Sequence, residues 1–132
     1  GALLNSGGTR VGKSGYFVQP TIFSRVSNDM KIAREEIFGP VLSIIPFKDE
    51  EAAVLQGNDT DYGLAAAVWT SDVSRAHRVA RALKAGRIWI NTYAEGDPAM
   101  SFGGYKQSGY GRELGAESID AYTQTKSVLM RL

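Results

Sequence analysis

LAAAVWTSDVSRAHRVARALKAGRIWIN, residues 64–91, decides the fold. The nearly apolar run LAAAVWT (64–70) is followed by Ser71 or Asp72, side chains suited to capping a helix. Val73, Ala76, Val79, Ala80 and Leu83 then recur at helical spacing. Gly86 ends that pattern, and RIWIN (87–91) opens a second apolar run. Upstream, VLSIIPF (41–47) reads as a buried strand, and Asp49 caps a helix with Glu50 and Glu51 in its first turn, running to about Gly57. NDTDYG is a turn cluster. From residue 41 the order is strand, helix, strand, helix, strand. Near-continuous apolar strands separated by helices predict an α/β fold, with parallel strands in a sheet covered on both faces by flanking helices.

On either side the pattern is looser. FVQPTIFSRV (17–26) is rich in β-branched and aromatic residues but contains Pro20, which predicts an irregular or edge strand. Residues 92–112 form a glycine-rich stretch without periodicity, of a length that usually carries function. A short helix is expected over Glu113–Tyr122. TKSVLMRL follows as a final strand alternating Val128, Met130 and Leu132, with no later strand in sequence to pair with. An unpaired strand of this kind invites pairing with another subunit.

Composition excludes several classes. The chain has 132 residues, 43% apolar and 22% charged, with a formal charge of +1. At that size it can bury roughly two thirds of its unfolded surface, so a real core is expected. The balanced charge argues against a nucleic-acid or acidic-membrane partner. No apolar stretch approaches the roughly 20 residues of a membrane span, and a secretory leader pattern is lacking, so a cytoplasmic setting is expected. There is no cysteine, which removes disulfides, thiolate metal sites and a cysteine nucleophile from these residues. His77, the only histidine, lies among arginines and reads as a solvated surface residue; no metal site is expected.

Four motifs are weighed and set aside. GGTRVGKS matches the phosphate-loop pattern through Gly7, Gly12, Lys13 and Ser14. A phosphate-loop nucleotidase needs a helix directly after the loop, and GYFVQPTIF favours extended structure instead. Asn58-Asp59-Thr60 fits a glycosylation sequon but reads as a turn. Arg75, Arg78, Arg81 and Lys84 wind around the helix, since steps of three residues drift by about 60°. GYGRELG (109–115) has one residue too many between its last glycines for a dinucleotide fingerprint and follows no strand.

EEIFGP, Glu35–Pro40, is more specific. If SNDMKIAR is a helix capped by Ser27, Asn28 or Asp29, both acids fall at its negative C-terminal end, at roughly 0.3–1 kcal/mol for each exposed acid. A bland reading has Lys31 and Arg34 offsetting them. Gly39 and Pro40 are expected to stop the helix and fix a corner that carries Glu36 and Phe38. One carboxylate can accept hydrogen bonds from two neighbouring hydroxyls, and a flat ring beside it can pack on a heterocycle. Together they suit a ribose carrying a planar base.

GYFVQPTIF, EEIFGPV, NDTDYGLAAAVWT, GRIWIN and FGGYKQSGYGRELG, in this order and at these intervals, resemble the C-terminal part of the aldehyde dehydrogenase superfamily over nearly the whole chain. The resemblance implies oxidation of an aldehyde to a carboxylic acid with NAD or NADP. In that chemistry a cysteine thiolate attacks the carbonyl, hydride passes to the nicotinamide, and a glutamate-activated water hydrolyses the thioester. It gives Glu36 the nicotinamide ribose hydroxyls and Phe38 the side of the nicotinamide ring. Phe102 would line the aldehyde pocket, with Tyr93 a weaker candidate, and Glu113 would have at most an accessory role near the water route.

Ser101 stands where many relatives have proline, and AEGDPAM lacks an aromatic that some relatives carry there, so the aldehyde is left open. The resemblance further implies that residues 1–123 are a C-terminal portion of the catalytic domain and 124–132 an oligomerisation strand giving a homo-oligomer. Nucleophile, general base and main dinucleotide-binding domain would lie upstream, leaving these residues inert by themselves. Two alternatives from other classes are the phosphate-loop nucleotidase and a non-catalytic assembly module.

Overall fold

The computed structural model describes residues 1–132, which divide into two compact units, Gly1–Thr60 and Asp61–Leu132. The division falls inside the span read from sequence as one catalytic portion.

The first unit is built on a three-stranded sheet of β1 (Leu3–Ser6), β2 (Thr21–Ser24) and β3 (Val41–Ser43), in that order. β1 runs antiparallel to β2, with Leu4 opposite Phe23 and a bulge before Ser6. β2 and β3 are parallel, with Thr21 opposite Val41 and Phe23 opposite Ser43. Pro20 sits immediately before β2, where its missing N–H removes nothing from the ladder, and the Thr21 N–H donates to the Pro40 carbonyl (2.8 Å). β3 is shorter than the run 41–47 suggested: its partner β2 ends at Ser24, and Arg25 then turns away at φ 54°. That partner was left open by the order of elements.

β1 was not foreseen, and it leads directly into GGTRVGKS. That segment is the tip of a hairpin, in which Arg10 bridges Val18, and the Val11 N–H donates to the Phe17 carbonyl (2.8 Å). No helix follows it, so the arrangement a phosphate loop requires is absent. Gly7 is needed there for close approach: at φ 77°, an added Cβ would lie 2.2 Å from the Pro20 carbonyl oxygen.

Two helices complete this unit. α1 (Lys31–Arg34) is a single turn, shorter than SNDMKIAR implied, and Met30 precedes it without a side-chain cap. The expected caps are engaged elsewhere. Ser27 donates its hydroxyl to the Asp29 carboxylate, holding that carboxyl below its ordinary pKa. Asn28 donates its amide to the Gln56 carbonyl (2.9 Å) and the Asp59 carboxylate (3.0 Å). α2 (Glu50–Asn58) starts as expected, with the Asp49 carboxylate accepting from the Ala52 N–H (2.8 Å). Arg34 grips Asp59 past its end with a bidentate pair of 3.1 and 2.9 Å.

In the second unit the stretch 64–91 folds as its pattern dictates. β5 (Ala65–Val68) and β6 (Arg87–Ile90) are parallel, Ala65 opposite Arg87 and Val68 opposite Ile90, and α3 (Val73–Ala82) joins them. The Asp72 carboxylate caps α3 by accepting from the Arg75 N–H (3.0 Å), which lowers its pKa. α3 buries Ala76 (4% exposed) and Val79 against the two strands, while His77 is exposed as expected.

The preceding two-residue β4 (Tyr62–Gly63) pairs antiparallel with β7 (Tyr105–Lys106), so 92–112 is less irregular than its sequence suggested. Gly86 lies so near that pair that a Cβ would meet the Gly103 carbonyl oxygen at 1.6 Å. A 3-10 helix covers Ala116–Tyr122; the helix expected from Glu113 starts late because Leu114 and Gly115 both take positive φ.

Two expectations about burial are corrected. The apolar strands are not covered on both faces: Leu42, Ile44, Phe47, Leu64 and Trp69 are exposed. The buried apolar side chains are Val26, Ala76 and Val79, well short of the expected core. Residues 124–132 form no ladder within the chain, and Leu129 is 99% exposed.

Candidate functional site

The sequence-predicted residues fall into one group in each unit. In the first unit, Glu35 closes α1 in an extended conformation, its N–H donating to the Lys31 carbonyl (2.9 Å). Its carboxylate pairs with Lys31 Nζ at 3.5 Å. Arg34 is engaged with Asp59 and offsets neither acid. A single turn has few aligned peptide dipoles, so the C-terminal penalty expected for the two acids is small. Glu36 differs from its neighbour: it is exposed, and its carboxylate has no hydrogen-bond or ion-pair partner in the chain.

The corner after Glu36 is made by an unexpected residue. Phe38, not Gly39, takes the left-handed conformation, at φ 53°. For a bulky aromatic this costs about 1–3 kcal/mol, and such strain concentrates at functional sites. The Phe38 ring is 93% exposed. Beyond it the Val41 N–H donates to the Gly39 carbonyl (2.8 Å) and β3 begins. The corner therefore presents an unpaired carboxylate and an uncovered aromatic ring two residues apart. The carboxylate can accept from a ribose diol and the ring can pack on a planar base, so the two groups fit a dinucleotide.

In the second unit, one face of β6 organises the loop that carries the other candidates. Side chains alternate along a strand, so Arg87 and Trp89 share a face. Trp89 Nε1 donates to the Glu95 carbonyl (2.6 Å), and its ring lies 5.4 Å from that of Tyr93, tilted by 56°. Arg87 donates from Nη2 to the carbonyls of Met100 (3.2 Å) and Ser101 (3.4 Å). Its guanidinium carbon stands 4.8 Å from the Phe102 ring centroid and 6.0 Å from that of Trp89.

Phe102 and Glu113 are joined through their backbones. The Phe102 N–H donates to the Glu113 carbonyl (2.7 Å) and the Glu113 N–H returns a bond to the Phe102 carbonyl (2.8 Å). The Ser101 hydroxyl donates to the Glu117 carboxylate and holds that carboxyl below its usual pKa. Asn91, at φ 55°, ties the end of β6 to Thr70: its Oδ1 accepts from the Thr70 N–H (2.8 Å) and its Nδ2 donates to the Thr70 carbonyl (2.9 Å).

The structure thus brings Tyr93, Phe102 and Glu113 onto one braced loop and sets Glu36 with Phe38 on one corner. Sequence reading missed Arg87, Trp89 and Glu117 as the residues that hold the loop. A signal was present: a charged residue at the start of an apolar parallel strand is anomalous, and its i+2 neighbour was a tryptophan.

The aldehyde dehydrogenase family model matches residues 1–128. An aldehyde dehydrogenase from Emericella nidulans is 58% identical over all 132 residues, which make up 27% of its length. Among solved structures, the aldehyde dehydrogenase KauB from Pseudomonas aeruginosa superposes with a TM-score of 0.93 at 55% identity, over 99% of this chain and 27% of that one. A Mycobacterium tuberculosis aldehyde dehydrogenase complexed with NAD+ gives 0.92 at 50% identity, over 99% of this chain and 27% of that one. The chain spans about a quarter of the length of the relatives it matches. Motif order, the parallel β5–β6 pair around α3 and the match along 1–128 lead to one assignment: the chain belongs to the aldehyde dehydrogenase family.

Proposed function

We propose that these residues work as the C-terminal portion of the catalytic domain of an NAD-dependent aldehyde dehydrogenase, supplying the nicotinamide-ribose corner and one wall of the aldehyde pocket. The observation that carries this reading is the corner itself, an unpartnered Glu36 carboxylate beside a strained, uncovered Phe38 ring. Glu36 accepts hydrogen bonds from the ribose hydroxyls, and Phe38 packs beside the nicotinamide. When bound, the dinucleotide supplies the hydride acceptor. Phe102 and Tyr93, held by Arg87 and Trp89, line the aldehyde pocket. Glu113 fixes Phe102 through its backbone and takes an accessory place near the water route. NAD is favoured over NADP because the related Mycobacterium tuberculosis enzyme is complexed with NAD+.

The thiolate and general base of this chemistry come from outside these residues, which contain no cysteine. The apolar faces left open on the strands are then covered by the rest of the dehydrogenase, and residues 124–132 pair with another subunit to give a homo-oligomer. Support for that last part is the uncovered apolar side chains of 128–130.

Two experiments test the reading. The 132 residues alone, assayed with NAD and a range of aldehydes, are expected to show no turnover; turnover would overturn the account of the external thiolate. In a dehydrogenase containing these residues, hydroxyl-radical footprinting is expected to find Phe38 protected when NAD binds. Equal reactivity with and without NAD would remove Phe38 from the cofactor site.

A further inference from the structure

We infer that Arg87 is a positioning residue for aldehyde selection, fixing the ring of Phe102 from β6 through a stacked guanidinium that also ties down the carbonyls of Met100 and Ser101. The inference rests on the reading of Phe102 as a wall of the aldehyde pocket.

The backbone bridge to Glu113 anchors Phe102 at its Cα but leaves the ring free to turn about χ1 and χ2. The Arg87 guanidinium lies over that ring, 4.8 Å from its centroid. Arg87 in turn is held by the carbonyls of Met100 and Ser101, and by its place in the ladder, where its N–H donates to the Leu64 carbonyl (3.2 Å). The loop runs close over the same group: a Cβ on Gly96 would lie 3.4 Å from Arg87 Nη1. A planar, delocalised cation can stack on a ring while donating in its own plane to carbonyl oxygens, which an ammonium cannot do. Glu117 also accepts from the Ser101 hydroxyl, so the residue preceding Phe102 is held through both its carbonyl and its side chain. The arrangement sets the shape of an apolar wall, and wall shape discriminates between substrates differing by a methylene or a ring by roughly 10–200-fold.

The test uses a full-length dehydrogenase containing these residues, with acetaldehyde and benzaldehyde as probes. Arg87→Met is expected to change the benzaldehyde-to-acetaldehyde ratio of kcat/KM by at least about fivefold, through KM, with each kcat within about twofold and KM for NAD unmoved. Arg87→Lys, which keeps the charge without the planar fork, recovers part of the ratio. In a Phe102→Ala background Arg87→Met adds no further change, because the ring it acts through is gone. An equal effect of Arg87→Met on both aldehydes, no effect, or full additivity with Phe102→Ala overturns the inference while leaving the pocket reading intact. A Phe102→Ala enzyme with unaltered preference overturns both. If Arg87→Met does not fold, Arg87→Gln and Arg87→Lys are compared by the same ratio.

Discussion

The corner at residues 35–40 and the loop at residues 93–113 both carry candidate site residues, yet they are held in opposite ways. The corner takes its shape from one strained backbone position, Phe38, and its functional groups are an exposed ring and a carboxylate with no polar partner in the chain. The loop takes its shape from many satisfied groups: Trp89 on the Glu95 carbonyl, Arg87 on two more carbonyls and a ring, and a reciprocal backbone bridge at Phe102. Strain with exposed chemistry suits a group waiting for a ligand to complete it. Dense internal bracing suits a wall whose shape must precede the ligand.

The largest effect expected from this contrast is in the braced region. Gly86→Ala would push a methyl group against the Gly103 carbonyl, where the built Cβ falls at 1.6 Å. A loss of at least about 3 kcal/mol in urea unfolding of the full-length protein is expected, since the obstacle is backbone. An unchanged midpoint would show that the loop yields easily and would erase the contrast.

Phe38→Gly probes the other side. Glycine adopts φ 53° without strain, so the variant should gain up to about 1 kcal/mol in stability while binding NAD about tenfold more weakly. A variant that loses stability would mean that the ring packs structurally and that no strain is stored there.

The smallest effect is a pH dependence at Glu117. Hydrogen bonding from Ser101 lowers its carboxyl pKa in the folded state, so the stabilisation is complete above the ordinary carboxylate range. It fades as the pH falls through the lowered folded value. The stability difference between the native protein and Glu117→Gln should therefore be constant near neutrality and shrink in acid. Comparing denaturation midpoints across that range checks it, and a difference growing toward low pH would contradict the sign.

The sequence made some of this legible and hid the rest for identifiable reasons. Asp49 and Asp72 announced their helices because a cap acts on N–H groups two or three residues away. The β5–β6 pair was readable because two apolar runs flanked one amphipathic helix. The pairing of β2 with β3 was not legible because strand pairing is non-local, and a periodicity argument identifies strands without identifying neighbours. The one-turn α1 was overextended because Ser27 and Asn28 looked like caps while their side chains bond to Asp29 and to the end of α2. Glu36 and Phe38 were singled out by the residues of EEIFGP and given their roles by the resemblance, but the left-handed backbone at Phe38 was invisible because glycine followed it and drew the expectation of the turn to itself. Arg87 was read only as part of a strand, since its partners lie 13 or more residues away along a loop without periodicity.

The most direct test of the central claim compares the two adjacent acids at the corner in a full-length dehydrogenase. Glu35 is paired with Lys31, whereas Glu36 has no partner in the chain. Single-turnover hydride transfer is the measurement. Glu36→Gln should slow it by about 10²-fold, the scale of a misplaced reacting group, and Glu35→Gln should leave it within about twofold. Equal rates for the two variants would contradict the assignment of Glu36 to the nicotinamide ribose.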